Sequence, residues 1–190
     1  GRIENFNQRN SLLINENVYA ILPDGENNFL LGTLSALVHF NPEKRSFTTI
    51  TQESDGTPMN LQKITTLFRD SQKRLWIGGE EGISVFKQHG TSIQKAAILP
   101  ESTVTKAFTN YIYEAANGLI WVGTREGFYC FNEKEKRIKR YTTANGLPNN
   151  VVYGILEDSY GRLWMSTNRG SSCFNPETEK FRNFTEADGL

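Results

Sequence analysis

Few residues of this 190-residue chain could perform catalysis. His39 and His89 are the only histidines, and one lies in an apolar run while the other lies in a polar turn. A zinc site built on histidines would need more such ligands at close spacing. The sequence has no Gly-x-Ser-x-Gly elbow and no glycine-rich phosphate loop. We therefore expect no catalytic residue, no bound cofactor and no metal site.

The two cysteines, Cys130 and Cys173, do not predict a disulfide. Two cysteines are too few for a disulfide framework. They also occupy equivalent positions in successive units of the repeat described below. Stacked sheets lie about 10 Å apart, which exceeds the reach of a disulfide. We expect both residues to act as small buried hydrophobic side chains.

A second set of polar residues could bind a ligand without transforming it. Arginine and asparagine side chains can donate hydrogen bonds to sugar hydroxyls and carboxylates. The candidates lie in loops that follow the second strand of a predicted unit, or in one link between units: Glu80, Glu81, Arg125, Glu126, Asn149, Asn150, Asn168 and Arg169. The alternative interpretation is that these are solvated hairpin loops with no ligand.

Composition narrows the possible partners. The 21 Lys and Arg residues balance the 21 Asp and Glu residues, so no net field attracts nucleic acid or an anionic membrane. No apolar run approaches the roughly 18 residues needed to cross a bilayer. We therefore expect contact with neither nucleic acid nor membrane.

The candidate residues are positioned by a repeat. Trp76, Trp121 and Trp164 are 45 and 43 residues apart, and Leu30 lies 46 residues before the first of them. Each unit has an apolar run, a tight turn, a strand with the tryptophan (Leu30 in the first unit), a Gly-containing loop, a strand that ends in Phe, a polar turn and a last strand. A period near 45 residues with four strands is typical of a β-propeller blade.

The repeat predicts an all-β fold, a partial β-propeller of four blades in which each blade is a four-stranded antiparallel meander. One repeat array fills residues 1–190, with blades at about 15–50, 60–99, 104–142 and 149–184. Residues 1–7 form an orphan N-terminal strand, the last strand of a preceding blade, because Ile3-Glu-Asn-Phe6 resembles Phe181-Arg-Asn-Phe184.

The predicted arc leaves blade faces without a neighbour inside the chain. A seven-blade ring at this period would need roughly 300 residues. An uncovered apolar face of about 400 Å² would forgo roughly 10 kcal/mol of burial free energy. We therefore expect the remaining blades of the same propeller, or a second copy of the chain through self-association, to cover these faces.

The turn residues recur in register with the repeat. Asp24, Asp70 and Asp158 begin the turns after the first strands, where a carboxylate can accept backbone N–H groups. We interpret them as turn caps in preference to metal ligands or general acids. The tryptophans are interpreted as packing between blades in preference to sugar platforms. Asn27, Gly118 and Gly161 are expected at positions with positive φ.

Two stretches carry a resemblance to a known family. They are Glu157-Asp158-Ser-Tyr-Gly161-Arg-Leu163-Trp164-Met-Ser-Thr167 and Asn145-Gly-Leu-Pro-Asn-Asn150. The pattern resembles the two-component regulator propeller repeat, and it weakens toward the first unit, where Leu30 replaces tryptophan. Such repeats form the periplasmic sensor ectodomain of hybrid two-component histidine kinases in polysaccharide-degrading bacteria.

The resemblance implies a role in signal transduction. The family's blades precede an immunoglobulin-like domain, a membrane span and a histidine kinase, none of which is in this chain. The implied function is carbohydrate sensing by a non-catalytic periplasmic fragment with an oligosaccharide ligand. The alternatives are a propeller enzyme, such as a lyase or glycosidase, and a structural interaction scaffold. The Gly-His and Trp-Asp signatures of WD repeats are absent.

Overall fold

The computed structural model describes residues 17–99 and 106–189. Within these ranges the strands form four antiparallel sheets, and the strands of each sheet lie in chain order. Blade 1 comprises β1 Val18–Pro23, β2 Phe29–Thr33, β3 Leu37–Asn41 and β4 Ser46–Ile50, and blade 2 comprises β5 Ile64–Arg69, β6 Leu75–Gly79, β7 Gly82–His89 and β8 Ser92–Lys95. Blade 3 comprises β9 Thr109–Glu114, β10 Ile120–Thr124, β11 Phe128–Asn132 and β12 Arg137–Tyr141, and blade 4 comprises β13 Val152–Glu157, β14 Leu163–Thr167, β15 Gly170–Asn175 and β16 Lys180–Phe184.

This architecture confirms the predicted partial propeller of four meander blades. The first strands of successive blades contact one another, so β1, β5, β9 and β13 lie nearest the common axis. Single 3₁₀ turns at Thr143–Asn145 and Glu186–Asp188 are the helical elements of the described ranges. The predicted orphan strand at residues 3–6 lies outside the described residues.

The second strands of the middle blades are buried on both faces. All residues of β6 and of β10 are buried, although side chains alternate between the two faces of a sheet. A blade between two neighbours packs on both sides, which explains runs such as Leu75-Trp-Ile that are apolar without alternation.

Two of the three tryptophans pack between blades, as predicted, whereas Trp164 stacks on Phe184 of its own blade at 5.4 Å between ring centroids. Trp121 of blade 3 stacks on Phe128 at 4.8 Å between ring centroids and meets the edge of Phe174 of blade 4 at 5.6 Å. Trp76 of blade 2 lies 6.1 Å from Phe131 of blade 3. Trp76 and Trp121 are each covered by the next blade along the chain.

Two of the three turn aspartates cap the tryptophan of their own blade. The Asp70 carboxylate accepts hydrogen bonds from Arg74 N at 2.8 Å, Arg74 Nε at 2.6 Å and Trp76 Nε1 at 2.7 Å. Asp158 accepts the same set from Arg162 and Trp164. These Asp–Arg–Trp groups confirm the interpretation as turn caps.

Asp24 departs from that pattern and bridges two blades instead. Blade 1 has Asn28 and Leu30 where blades 2 and 4 have arginine and tryptophan, so the Asp24 carboxylate has no such donors in its own blade. It accepts hydrogen bonds from Arg69 Nη2 and Gln88 Nε2 of blade 2, both at 2.8 Å. The carboxylate therefore stabilises the contact between blades 1 and 2.

The turns follow the sequence-based expectations, and so does the buried Cys173, whereas Cys130 is only half-buried. Asn27, Gly118 and Gly161 have φ values of 56°, 79° and 72°. Cys130 and Cys173 both carry free thiols, and each lies opposite the tryptophan of its own blade. Burial raises the pKa of the Cys130 thiol to about 12, so it is neutral at physiological pH.

Polar bridges join blades 2 and 3 beside the apolar core. Arg74 pairs bidentately with Glu133, with Nη1–Oε1 and Nη2–Oε2 distances of 2.7 and 2.8 Å. Ser71 donates to Glu114 of blade 3 through its backbone N–H and its hydroxyl. The hydrogen bond from Arg74 holds the pKa of Glu133 below its ordinary value.

The described residues contain no helix that is long and apolar enough to cross a membrane.

Candidate functional site

The meanders place their loops at two opposite ends of the arc. The loops after the second strands, at 34–36, 80–81, 125–127 and 168–169, share one end with the links between blades, and we call this end the loop face. Backbone hydrogen bonds connect the two sets, such as Arg125 N to Phe108 O at 3.1 Å. The opposite end, with the turns after the first and third strands, is the turn face. All eight predicted ligand-contacting residues lie on the loop face.

Each first strand carries a β-bulge close to the loop face. The pairing register with the second strand shifts by one residue at Tyr19, Thr65, Asn110 and Tyr153. A bulge redirects a side chain and is common beside functional sites. Since the first strands lie nearest the axis, the bulges place four side chains in equivalent positions around it.

The bulge residues of blades 2 and 3 form hydrogen bonds to the following blade. Thr65 Oγ1 donates to the carbonyl of Thr109, and Asn110 Nδ2 donates to the carbonyl of Val152 at 2.9 Å. Those of blades 1 and 4 are solvent-accessible, since Tyr19 is 44% exposed and Tyr153 is 51% exposed. Tyr19 and Tyr153 can therefore offer ring surface to a ligand.

An aromatic and cationic cluster lies among the links of blades 1 to 3. The Arg125 guanidinium carbon lies 3.7 Å from the ring centroid of Phe108. Lys63 Nζ lies 5.6 Å from the Phe108 centroid and 5.7 Å from that of Tyr19. We call Tyr19, Lys63, Phe108 and Arg125 the Phe108 cluster. It combines ring faces with fixed donors, the pairing that cation–π contacts stabilise.

The structure brings some predicted residues to this region and gives others a structural role. Arg125 belongs to the Phe108 cluster, and Asn168 Oδ1 accepts the Tyr153 hydroxyl at 2.8 Å. Asn149 and Asn150 shape the link, because their Oδ1 atoms accept from Val151 N and Thr143 N, both at 2.9 Å.

The other four predicted residues surround these positions with exposed side chains: Glu80, Glu81, Glu126 and Arg169. The backbone N–H groups of Glu126 and Arg169 donate to threonine hydroxyls that close their loops. Ligand contact by any of the eight residues stays a prediction.

The sequence did not identify Tyr19, Lys63, Phe108 or Tyr153. Alignment of the repeat units could have drawn attention to two of them, because Tyr19 and Tyr153 occupy the same place in the first strands of blades 1 and 4. A bulge is defined by the register of two paired strands, so a single strand's sequence does not show it.

The chemistry that the loop face offers is that of binding. Ring faces, guanidinium and ammonium groups and amides can contact a polar ligand that also has apolar surface. Within residues 17–99 and 106–189, no group of three or more His, Cys, Asp or Glu side chains could hold a metal ion.

Comparison with known proteins identifies the repeat. Residues 58–81 and 146–169 match the model of the two-component regulator propeller family. Blades 2 and 4 carry two-component regulator propeller repeats. Each matched segment runs from the link before blade 2 or blade 4 through the first strand, the turn and the second strand of that blade. The recurring turn and tryptophan are therefore features of the two-component regulator propeller.

Two relatives of this propeller are signalling proteins. Histidine kinase P4 of Formosa agariphila is 28% identical over 167 residues, covering 84% of this chain and 12% of the relative. The extracellular domain of a hybrid two-component system of B. thetaiotaomicron superposes with a TM-score of 0.76 and 25% identity, covering 97% of this chain and 24% of that domain. The chain therefore spans a small part of both.

Enzymes share the fold as well. Virginiamycin B lyase of Staphylococcus aureus superposes with a TM-score of 0.61 at 16% identity, covering 89% of this chain and 55% of the lyase. At that identity the likeness concerns the fold alone, since one fold hosts many functions.

Proposed function

We propose that this chain is part of the extracytoplasmic, ligand-sensing propeller of a hybrid two-component sensor, and that its loop face binds carbohydrate without catalysis. The observation that carries the proposal is the Phe108 cluster beside the exposed bulge tyrosines. The relatives support a role in two-component signalling, because one is a histidine kinase and another is the extracellular domain of a hybrid two-component system. We place this propeller in the periplasm as part of the proposal, because the resemblance to periplasmic sensor ectodomains favours that location.

The cluster suits the chemistry of a sugar. A pyranose ring has an apolar face of C–H groups that can lie on an aromatic ring, and hydroxyls that hydrogen-bond to fixed polar groups. Tyr153 provides such a ring, and its hydroxyl is oriented by Asn168. Arg125 is held by its stacking on Phe108, so a hydrogen bond from it to a ligand costs less conformational entropy.

A thermal-shift screen tests the proposal. The chain is mixed with neutral and acidic oligosaccharides of two to six sugar units, and at least one should raise the midpoint of unfolding because it binds the folded state. That sugar should be recovered intact after prolonged incubation. Cleavage of the sugar would favour a propeller enzyme, and a panel with no shift would contradict carbohydrate binding by these blades.

We further propose that the outward face of blade 4 is covered by the remaining blades in the whole protein, and by a second copy in the isolated chain. Leu156 is 68% exposed on this face and pairs with the half-buried Trp164. Tyr113 and Trp121, their equivalents in blade 3, are packed against blade 4. The repeating interface therefore leaves an apolar surface at blade 4, which is typical of a contact site.

Light scattering after size exclusion measures this association. The chain should be dimeric at tens of micromolar, and Leu156→Lys should shift it to the monomer, because a charge replaces the apolar contact. Lys87→Ala, a change at an exposed residue of the third strand of blade 2, serves as the control and should stay dimeric. A monomeric parent chain at these concentrations would contradict self-association through this face.

A further inference from the structure

In blades 1 to 3, the turn after the first strand meets two positions of the following blade on the turn face. The inner position is the last residue of the first strand, and in blades 1 to 4 it is Pro23, Arg69, Glu114 and Glu157. The outer position is the second residue after the phenylalanine of the third strand, and it is Pro42, Gln88, Glu133 and Pro176. Glu157, for example, accepts the backbone N–H of Ala116 in the turn of blade 3 at 3.1 Å.

The residues at these positions match the turn that they face. In blade 1 the turn carries the carboxylate of Asp24, and both positions of blade 2, Arg69 and Gln88, donate to it. In blade 3 the turn ends in Leu119, and the outer position of blade 4 is Pro176, which lines the same cavity between the two blades. An acidic turn therefore faces donors, whereas an apolar turn faces an apolar residue at the outer position.

The turn of blade 2 is rich in donors and faces two carboxylates. Ser71 donates to the inner Glu114 through its backbone N–H at 2.6 Å and through its hydroxyl at 2.7 Å. Arg74 donates to the outer Glu133 through both of its Nη groups. A turn with serine and arginine at these places therefore has a carboxylate as its partner at each position.

The turn of blade 4 has the same donors without these acceptors. Ser159 and Arg162 occupy the places of Ser71 and Arg74. The Ser159 N–H and hydroxyl and the Arg162 Nη groups have no acceptor in the described part of the chain, while Arg162 Nε donates to Asp158 at 2.7 Å. The Arg162 side chain is 42% exposed, compared with 10% for Arg74. By the register of the repeat, these donors border the outward apolar surface of blade 4.

A third position determines how closely the following blade can approach. A Cβ atom at Gly78 would lie 2.6 Å from the side chain of Thr109, and one at Gly123 would lie 2.9 Å from that of Val152. These partners are the first residues of the next first strands. Blade 4 has Ser166 at the glycine's place, so a branched side chain opposite it would collide with the serine. Glycine opposite Ser166 would remove that collision.

We infer that blade 4 docks a sheet of the same repeat that has a glutamate or aspartate at both the inner and the outer position and glycine as the first residue of its first strand. Complementary charges of this kind determine which partner fits an interface. The inference rests on the proposal that further blades cover blade 4, and it adds the surface that they need. Blade 1 of a second copy does not fit, because its three residues are Pro23, Pro42 and Val18. Two copies should therefore not close head to tail into a ring.

An extension of the full chain by one blade tests this inference. Copies of residues 148–151, the link before blade 4, and of residues 109–142, blade 3, are joined to its end, with Thr109→Gly in the copied blade. The copied Glu114 should accept the Ser159 N–H. Hydrogen exchange followed by nuclear magnetic resonance should therefore show the Ser159 amide exchanging at least about ten-fold more slowly than in the parent chain.

A second extension with a copy of residues 18–51, blade 1, is the matched control. It has neither carboxylate, so Ser159 should exchange as in the parent chain. Equal slowing by the two extensions, or no slowing by the copy of blade 3, would overturn the inference. A copy of blade 3 that keeps Thr109 should protect Ser159 less, and equal protection would overturn the requirement for glycine.

A double-mutant cycle tests the outer position separately. Arg162→Gln in the extended chain is combined with Glu133→Gln in the copied blade, and the two changes should couple by about ten-fold in the equilibrium constant of unfolding. No coupling would contradict the proposed contact even where Ser159 is protected.

The result is separable from that of the light-scattering experiment. A parent chain that dimerises, with Ser159 unprotected in the blade 3 extension, would overturn this inference alone. A monomeric parent chain whose extension protects Ser159 would support the inference and contradict self-association alone.

Discussion

Replacing Asp70 by alanine should lower the free energy of unfolding by about 3–5 kcal/mol, the usual cost of removing one partner of a buried ion pair. The Asp70 side chain is fully buried and that of Arg74 is 10% exposed. Without the carboxylate, Arg74 Nε and Trp76 Nε1 would lose their acceptor away from water. Urea-induced unfolding followed by tryptophan fluorescence measures the change.

Asp158→Ala is the matched control for this change. Asp158 has the same donors in blade 4, but the Arg162 side chain is 42% exposed. Water can therefore replace the lost carboxylate, and the control should lose clearly less stability than Asp70→Ala. Equal losses in the two variants would show that burial of the Asp–Arg–Trp group does not determine its contribution.

Gly78→Ser should destabilise the chain by about 2–3 kcal/mol, in the upper part of the range for overpacked sites. A Cβ atom at Gly78 would lie 2.6 Å from Cγ2 of Thr109 in the next blade and 2.6 Å from Cγ2 of Thr66. Neither threonine can turn away easily, because both lie in paired strands at the axis. The expected result is a lower urea midpoint with an unchanged slope.

The repeat itself provides the control for this second prediction. Gly32 and Gly123 occupy the same position in blades 1 and 3, and a Cβ at each would lie 2.5 and 2.9 Å from a side chain of the following blade. Blade 4 has the exposed Ser166 there, on its outward face. Ser166→Gly should therefore change stability little. A large loss in Ser166→Gly with none in Gly78→Ser would contradict close packing at these glycines.

The repeat made most of the fold predictable. Trp76, Trp121 and Trp164 recur at nearly constant spacing, and each is preceded by a turn whose aspartate, glycine or asparagine has a local physical reason. Local turns and periodic strands depend on residues close in sequence. The meander, the positive φ of Asn27 and the cap at Asp158 could for this reason be predicted without coordinates.

The features that escaped prediction depend on long-range contacts. Asp24 bridges to Arg69 and Gln88, which lie 45 and 64 residues away, because its own blade lacks the usual donors. Phe108 meets Arg125 and Lys63 only when the links of two blades adjoin. The bulge at Tyr153 follows from pairing with β14. Sequence pattern therefore identified the loop face but not the aromatic residues that distinguish it.

The measurement that tests the central claim most directly is calorimetric titration of the chain with an oligosaccharide selected by the thermal-shift screen. The parent chain should bind it without cleavage, and Phe108→Ala and Tyr153→Ala should each weaken binding about ten-fold, as expected when a stacking ring is lost. Arg137→Gln, on the turn face, should bind the selected sugar at the loop face like the parent chain. Undiminished binding by both aromatic variants, or conversion of the sugar to products, would contradict a non-catalytic carbohydrate site on the loop face.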